Sequence, residues 1–141
     1  MPAQAISLGY ERRNIDEFIN ILVSHKVKKV LDVREAPTSR RKDFRKSALS
    51  EYLREFGIDY VHLRLAGNPH RKEKEDIEHC LQLYARYLNK NHNVIELVAA
   101  ELRGKSVAVL CYEREHKKCH RSVLLAAVCQ HSHSIKVITV D

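Results

Sequence analysis

Residues 106–111, Ser-Val-Ala-Val-Leu-Cys, form a nearly unbroken apolar run in a chain of 141 residues that is 30% charged. The run is short and rich in β-branched valine, so it reads as a strand and not as a helix. A strand with one wet face alternates apolar and polar residues. One without alternation is covered on both faces, as in the middle of a parallel sheet packed between helices. This segment alone therefore requires helices on two sides of a sheet.

The rest of the chain supplies them. Residues 4–9 (QAISLG) read as a first strand ending in glycine. Asn14 then precedes Ile15, Phe18, Ile19 and Leu22 at helical spacing, with Asp16 and Glu17 in the first turn, which makes Asn14 the expected N-cap. Residues 28–33 (KKVLDV) read as a second strand. Ser47 is the expected cap of a helix over 48–56, closed by Gly57, and residues 58–63 (IDYVHL) alternate as a third strand. A polar loop carrying Gly67-Asn68-Pro69 leads to a helix from about residue 73 to 90 and a second over 92–102. After the 106–111 strand come a charged loop, an apolar helix from Arg121 to His131 and a last strand over 134–141. The alternation predicts one α/β domain spanning 1–141, with three layers and a mainly parallel central sheet of about five strands flanked by helices.

Composition removes several alternatives. With 44% hydrophobic residues the chain is not disordered. No stretch approaches the roughly 20 apolar residues of a membrane span, and residues 1–13 lack a basic segment followed by an apolar run. The expectation is a cytoplasmic protein with no membrane partner. In a reducing compartment, Cys80, Cys111, Cys119 and Cys129 read as thiols, catalytic groups or ligands before disulfides. Lys and Arg number 25 against 18 Asp and Glu, a net charge of +7, which favours an anionic partner. Without a Walker loop, a Gly-x-Gly-x-x-Gly or a Gly-x-Ser-x-Gly, P-loop hydrolysis, dinucleotide redox chemistry and α/β-hydrolase chemistry fall away, and no cofactor is expected.

Open parallel sheets bind ligands beyond the carboxyl ends of their strands. Those ends lead into Gly9-Tyr10-Glu11-Arg12-Arg13, Asp32-Val33-Arg34 and onward to Ser39-Arg40-Arg41, Tyr60 and His62 with Arg64, and Cys111-Tyr112-Glu113 through Cys119-His120-Arg121. Gathered on one edge, Arg34, Arg40, Arg41, Arg114 and Arg121 hold phosphate oxygens, and Glu113 or Asp32 serves as general acid/base. Cys119 and His120 sit where the last long helix begins, a position that favours anions and thiolates. Tyr10, Phe44, Tyr60 and Tyr112 lie beside basic residues, as base-stacking rings do. Neither the group Cys111, His116, Cys119, His120 nor the group Cys129, His131, His133 has an established zinc spacing, so no metal is expected.

The segments SLGY, LDVREAPTSRRKDF, YLREFGIDYVHL and LCYEREHKKCHRSVLLA resemble the bacterial and archaeal family known as domain of unknown function 488, over nearly the whole chain and in the same order. The resemblance implies that Gly9, Asp32, Arg34, Pro37, Ser39, Arg40, Phe44, Tyr60, His62, Glu113, Cys119, His120 and Arg121 belong to the site. Tyr10-Glu11 and Gly67-Asn68-Pro69 depart from what many relatives carry. A weaker likeness to rhodanese-type sulfurtransferases makes Cys111 a nucleophile at a strand end, although the loop after it is longer and holds Glu113 and Glu115.

The favoured functional reading is a nucleic-acid-processing enzyme, a DNA-glycosylase-like hydrolase acting on a base or a sugar–base bond. Its partner is nucleic acid, DNA before RNA, or a phosphorylated small molecule. The alternatives are a cysteine-dependent sulfurtransferase and a non-catalytic nucleic-acid-binding module.

Overall fold

In the computed structural model, which describes residues 3–72 and 76–141, β4 (Ser106–Cys111) is the middle strand of five, as its composition requires. The sheet order is β3-β2-β4-β1-β5, with β1 Ala3–Gly9, β2 Lys29–Asp32, β3 Asp59–His62 and β5 Ile135–Val140. Every pairing is parallel. From Val107 onward β4 is buried. The chain forms a single α/β domain.

Side-chain alternation along β4 divides the core in two. Ala108 and Leu110 point to one face, where α1 (Ile15–Ser24) and α2 (Lys46–Glu55) lay down Phe18, Leu22, Leu49 and Leu53. Val107, Val109 and Cys111 point to the other, under α3 (Ile77–Lys90), α4 (His92–Leu102) and α5 (Arg121–His131), with Tyr84, Leu88, Val98, Leu102 and Leu124. Each such leucine or phenylalanine, taken fully out of water, contributes about 1.5–3 kcal/mol.

The local signals read from the sequence explain most boundaries. Asn14 caps α1 in a full capping box: its side chain accepts from Glu17 N at 2.8 Å and the Glu17 carboxylate accepts from Asn14 N at 3.1 Å. Gly57 closes α2 with φ of 69°, a left-handed conformation that suits glycine. Ser47 is not a cap. The helix begins two residues earlier than expected, at Lys46, and the cap position is Arg45, whose side chain makes no capping bond. Its guanidinium is turned to Ser39 O at 2.8 Å instead. The start of α3 is capped by Asp76, accepting from His79 N at 3.0 Å; residues 73–75, expected to begin this helix, lie outside the described residues. Among the described residues no helix is long and apolar enough to cross a membrane.

The topology sets the position of the site. The helices that follow β1 and β2 pack on one face, and α5, which follows β4, packs on the other. Because β4 lies between β1 and β2, its outgoing loop parts from both neighbours at the carboxyl edge. A crevice opens there, at a topological switch point.

Candidate active site

The crevice is a cleft of about 950 Å³. Its walls come from the loop after β1 (Tyr10, Glu11, Arg12), the loop after β2 (Arg34 to Arg41), the loop after β4 (Cys111 to Glu115, Lys118, His120) and the amino end of α3 (Ile77, Cys80, Leu81). Gly9 makes the closure of the first and third walls possible. Its Cα lies so close under the β4 loop that a Cβ would meet Glu113 O at 1.9 Å. Glycine is therefore required here by backbone approach, not by conformation.

The cleft has a cationic rim. Arg12, Arg40, Arg71 and Lys118 are exposed, and Arg41 and Arg114 are half-buried. Arg71 pairs with Glu35 at 3.0 Å and Lys118 with Glu115 at 3.3 Å, weak exposed pairs that a ligand phosphate can displace. Arg41 is fixed by the carbonyls of Tyr10, at 2.9 Å, and Arg13. Ser39 Oγ accepts from Arg41 N at 3.0 Å and shapes that turn. Tyr112 is the exposed ring, at 42%.

Several expected site residues, in these walls (Tyr10, Arg34) or behind them, are bound to partners within the chain. Asp32 is wholly buried and binds Arg34, whose Nε lies 2.9 Å and Nη2 2.7 Å from its carboxylate oxygens. It also accepts from Arg34 N at 3.1 Å and from the Tyr60 hydroxyl. Arg34 completes its bonding on Phe44 O at 2.7 Å. Burial alone would lower the Arg34 guanidinium, but its bonds to Asp32 raise it. Burial and the Asp32 carboxylate push Tyr60 well above its ordinary value. Tyr60 lines a separate small hollow with Arg54 and Gly57, and His62 Nε2 meets Arg34 O at 2.8 Å. Tyr10 and Phe44, expected to stack on a base, stack on each other at 4.5 Å with Arg41 over the Phe44 ring. Tyr10 is 3% exposed and Phe44 fully buried. Asp32, Arg34, Tyr10, Phe44, Tyr60 and His62 thus form a supporting network under the β2 loop. The folded chain satisfies these polar groups internally, which binds the loop to the sheet edge.

Arg121 is also fully buried. Its Nη2 donates to Glu113 O, while Nε and Nη1 have no hydrogen-bond partner among the described residues. It tethers the β4 loop from below and is withheld from any phosphate in the cleft.

At the floor, Cys111, Cys119 and His120 come together. His120 Nδ1 lies 3.7 Å from each sulfur, and its Nε2 donates to Val33 O at 2.9 Å. Cys119 Sγ also accepts from Arg121 N, in the first turn of α5, at 3.5 Å. The helix N-terminus expected to hold an external anion is thus turned on the chain's own sulfur. Burial would raise Cys119, but the Cys111 thiol donating to it, with His120 and Arg121 beside it, holds it well below its ordinary value. Cys111 is pushed well above its own, by that shared proton, by burial and by the nearby charges of Cys119 and Glu113. His120 would be lowered by burial but is raised by Cys119 and by its bond to Val33 O. Cys111 and His120 line the cleft, and Cys119 stands behind them. Glu113 Oε2 lies 3.5 Å from Cys111 Sγ. His116, grouped with these residues by sequence, is held elsewhere by Ser7 Oγ at 2.6 Å.

Sequence reading missed the contribution of α3. Asn68 is buried and donates to Cys80 Sγ at 3.3 Å, which brings the turn after β3 and the start of α3 to the cleft. The signal was the turn Gly67-Asn68-Pro69 directly after a strand end. Gly67 is needed there because a Cβ would meet Glu35 Cα at 2.4 Å.

Fold and cleft define a parallel α/β protein with an open cleft at the carboxyl ends of β1, β2 and β4. The chain belongs to the family described as domain of unknown function DUF488, whose model matches residues 14–128. No curated protein and no solved structure matches it.

Proposed function

We propose that the cleft is the active site of an enzyme that acts on a base or a sugar–base bond of a nucleic acid. The observation that carries this reading is the combination, in one open cleft, of rim arginines Arg12, Arg40 and Arg114 with the exposed Tyr112 ring and the Glu113 carboxylate. The arginines take phosphates on either side of a nucleotide, and Tyr112 offers a face to an unstacked base. Glu113 moves a proton or stabilises positive charge developing on the sugar, by the carboxylate logic of glycosyl transfer. The cleft volume suits one extruded nucleotide better than a duplex.

A second reading is favoured by the floor. Cys111 lines the cleft beside His120, an arrangement suited to thiol chemistry of the sulfurtransferase kind. The two readings separate by mutation: Glu113→Gln abolishes base chemistry and spares thiol turnover, whereas thiol turnover is lost in Cys111→Ser.

The test is a panel of single-stranded, duplex, mismatched and base-modified oligonucleotides, scored together for binding across a salt series and for cleavage or abasic-site formation. Binding is expected to weaken with a log–log salt slope on the order of −2 to −4, from three to five phosphate contacts. Single-stranded or modified substrates are expected to bind better than intact duplex, because part of the unstacking cost is already met. No binding to any member at low salt overturns the nucleic-acid reading in favour of a small phosphorylated metabolite. Uniform binding without product reduces the protein to a binding module.

A further inference from the structure

We propose that Cys111, Cys119 and His120 are the protein ligands of a zinc-class divalent metal, with a fourth position open to the cleft. Their ligand atoms lie within 4.8 Å of one another and all three residues are buried. Both sulfur–nitrogen separations are 3.7 Å. A tetrahedral centre with metal–sulfur bonds of about 2.3 Å and a metal–nitrogen bond of about 2.0–2.1 Å sets that edge at about 3.6 Å. Both sulfur–nitrogen edges already stand at about the spacing the metal imposes.

The imidazole presents the correct atom. A carbonyl can only accept, so Nε2 carries the proton given to Val33 O, and Nδ1 is the nitrogen turned to the sulfurs. Fixing the far nitrogen of a histidine on a backbone carbonyl is how ligating imidazoles are held. The amide of Arg121 directed at Cys119 Sγ supports a thiolate in the same way. Two sulfurs and one nitrogen favour zinc over magnesium or calcium, which take oxygen ligands. Ligation needs both sulfurs as thiolates and Nδ1 without its proton, so metal binding is linked to pH.

The open vertex follows from position. Cys111 and His120 border the cleft, Cys119 stands behind, and Glu113 Oε2 lies 3.5 Å from Cys111 Sγ at the cleft side. Three protein ligands with a vacant fourth position are the pattern of a catalytic metal, and a structural zinc takes four. A metal held there would lower the pKa of a water at its open position, and Glu113 is the carboxylate of the cleft nearest the trio's Cys111. The sequence conceals the site because its ligands come from the end of β4 and the approach to α5, with no Cys-x-x-Cys pair. The proposal holds whichever substrate the cleft takes.

The experiment titrates reduced, chelator-treated wild-type protein with cobalt(II) alone. The expected result is saturation at a single cobalt per chain, with a near-ultraviolet thiolate-to-cobalt charge-transfer band and strong visible bands of a tetrahedral site. Added zinc then bleaches them. Cys111→Ala and Cys119→Ser each weaken cobalt binding by at least about tenfold, and Cys129→Ser, outside the trio, binds as wild type does. Circular dichroism establishes that each variant is folded. If a variant is not, the band decides when it persists in Cys80→Ser and in Cys129→Ser, because it then arises from the thiolates of Cys111 and Cys119. No charge-transfer band in folded, reduced wild type overturns the proposal, as does an undiminished band in both trio variants.

Discussion

Asp32→Ala is expected to lower folding stability by about 3–5 kcal/mol, the cost of leaving a buried charge without its partner. Asp32 is fully buried and accepts four bonds from three Arg34 donors and one from Tyr60. Removing the carboxylate leaves the Arg34 guanidinium 5% exposed, with Phe44 O at 2.7 Å as its remaining short contact. The strained part is the start of the β2 loop, and Tyr10, which stacks against Phe44, is carried with it. Urea denaturation measures the effect as a lower midpoint at unchanged slope. Tyr60→Phe removes one hydrogen bond to a charged group and is expected to cost less, about 1.5–3 kcal/mol. A stable Asp32→Ala protein that had lost turnover would instead assign the carboxylate to chemistry.

Glu113→Gln is expected to reduce turnover by about 10²–10⁴-fold, the range of a positioned general acid or base, with little change in oligonucleotide affinity. The substitution preserves side-chain shape. It also leaves untouched the backbone that fixes the loop, since Glu113 O accepts from Arg121 and packs against Gly9. A single-turnover assay read beside a binding isotherm separates the two quantities. Equal losses in both would mean that the carboxylate holds the loop and does not transfer a proton.

The sequence made the sheet legible because its signals are local. Apolar continuity marks β4, the Asn14–Glu17 spacing marks the start of α1, and Gly57 marks the end of α2. Ser47 misled because a good capping residue is only an opportunity. The chain enters α2 through Arg45, whose carbonyl accepts from Leu49 N at 2.8 Å. The carboxyl-edge loops were also readable, since a parallel sheet collects its strand ends. Which side chains face the cleft was not. Asp32 and Arg34 are two apart and consume each other, but the stacking of Tyr10 on Phe44 joins loops from two strands that lie on either side of β4. Burial of Arg121 depends on the β4 loop folding back over Gly9. The Cys111–Cys119–His120 group is similarly tertiary: strand end and helix start converge only when the loop between them closes.

The most direct test of the cleft as a phosphate-binding edge is the salt dependence of single-strand binding in wild type and in the Arg12→Ala/Arg40→Ala double variant. Both side chains are exposed, so the substitutions are expected to change stability by no more than about 0.5 kcal/mol each. Each lost phosphate contact removes about 0.7 from the log–log slope on a single strand, so the double variant is expected to bind more weakly at low salt with a slope shallower by about 1.4. An unchanged slope and affinity would contradict the account, because the phosphates would then be held somewhere other than this cleft.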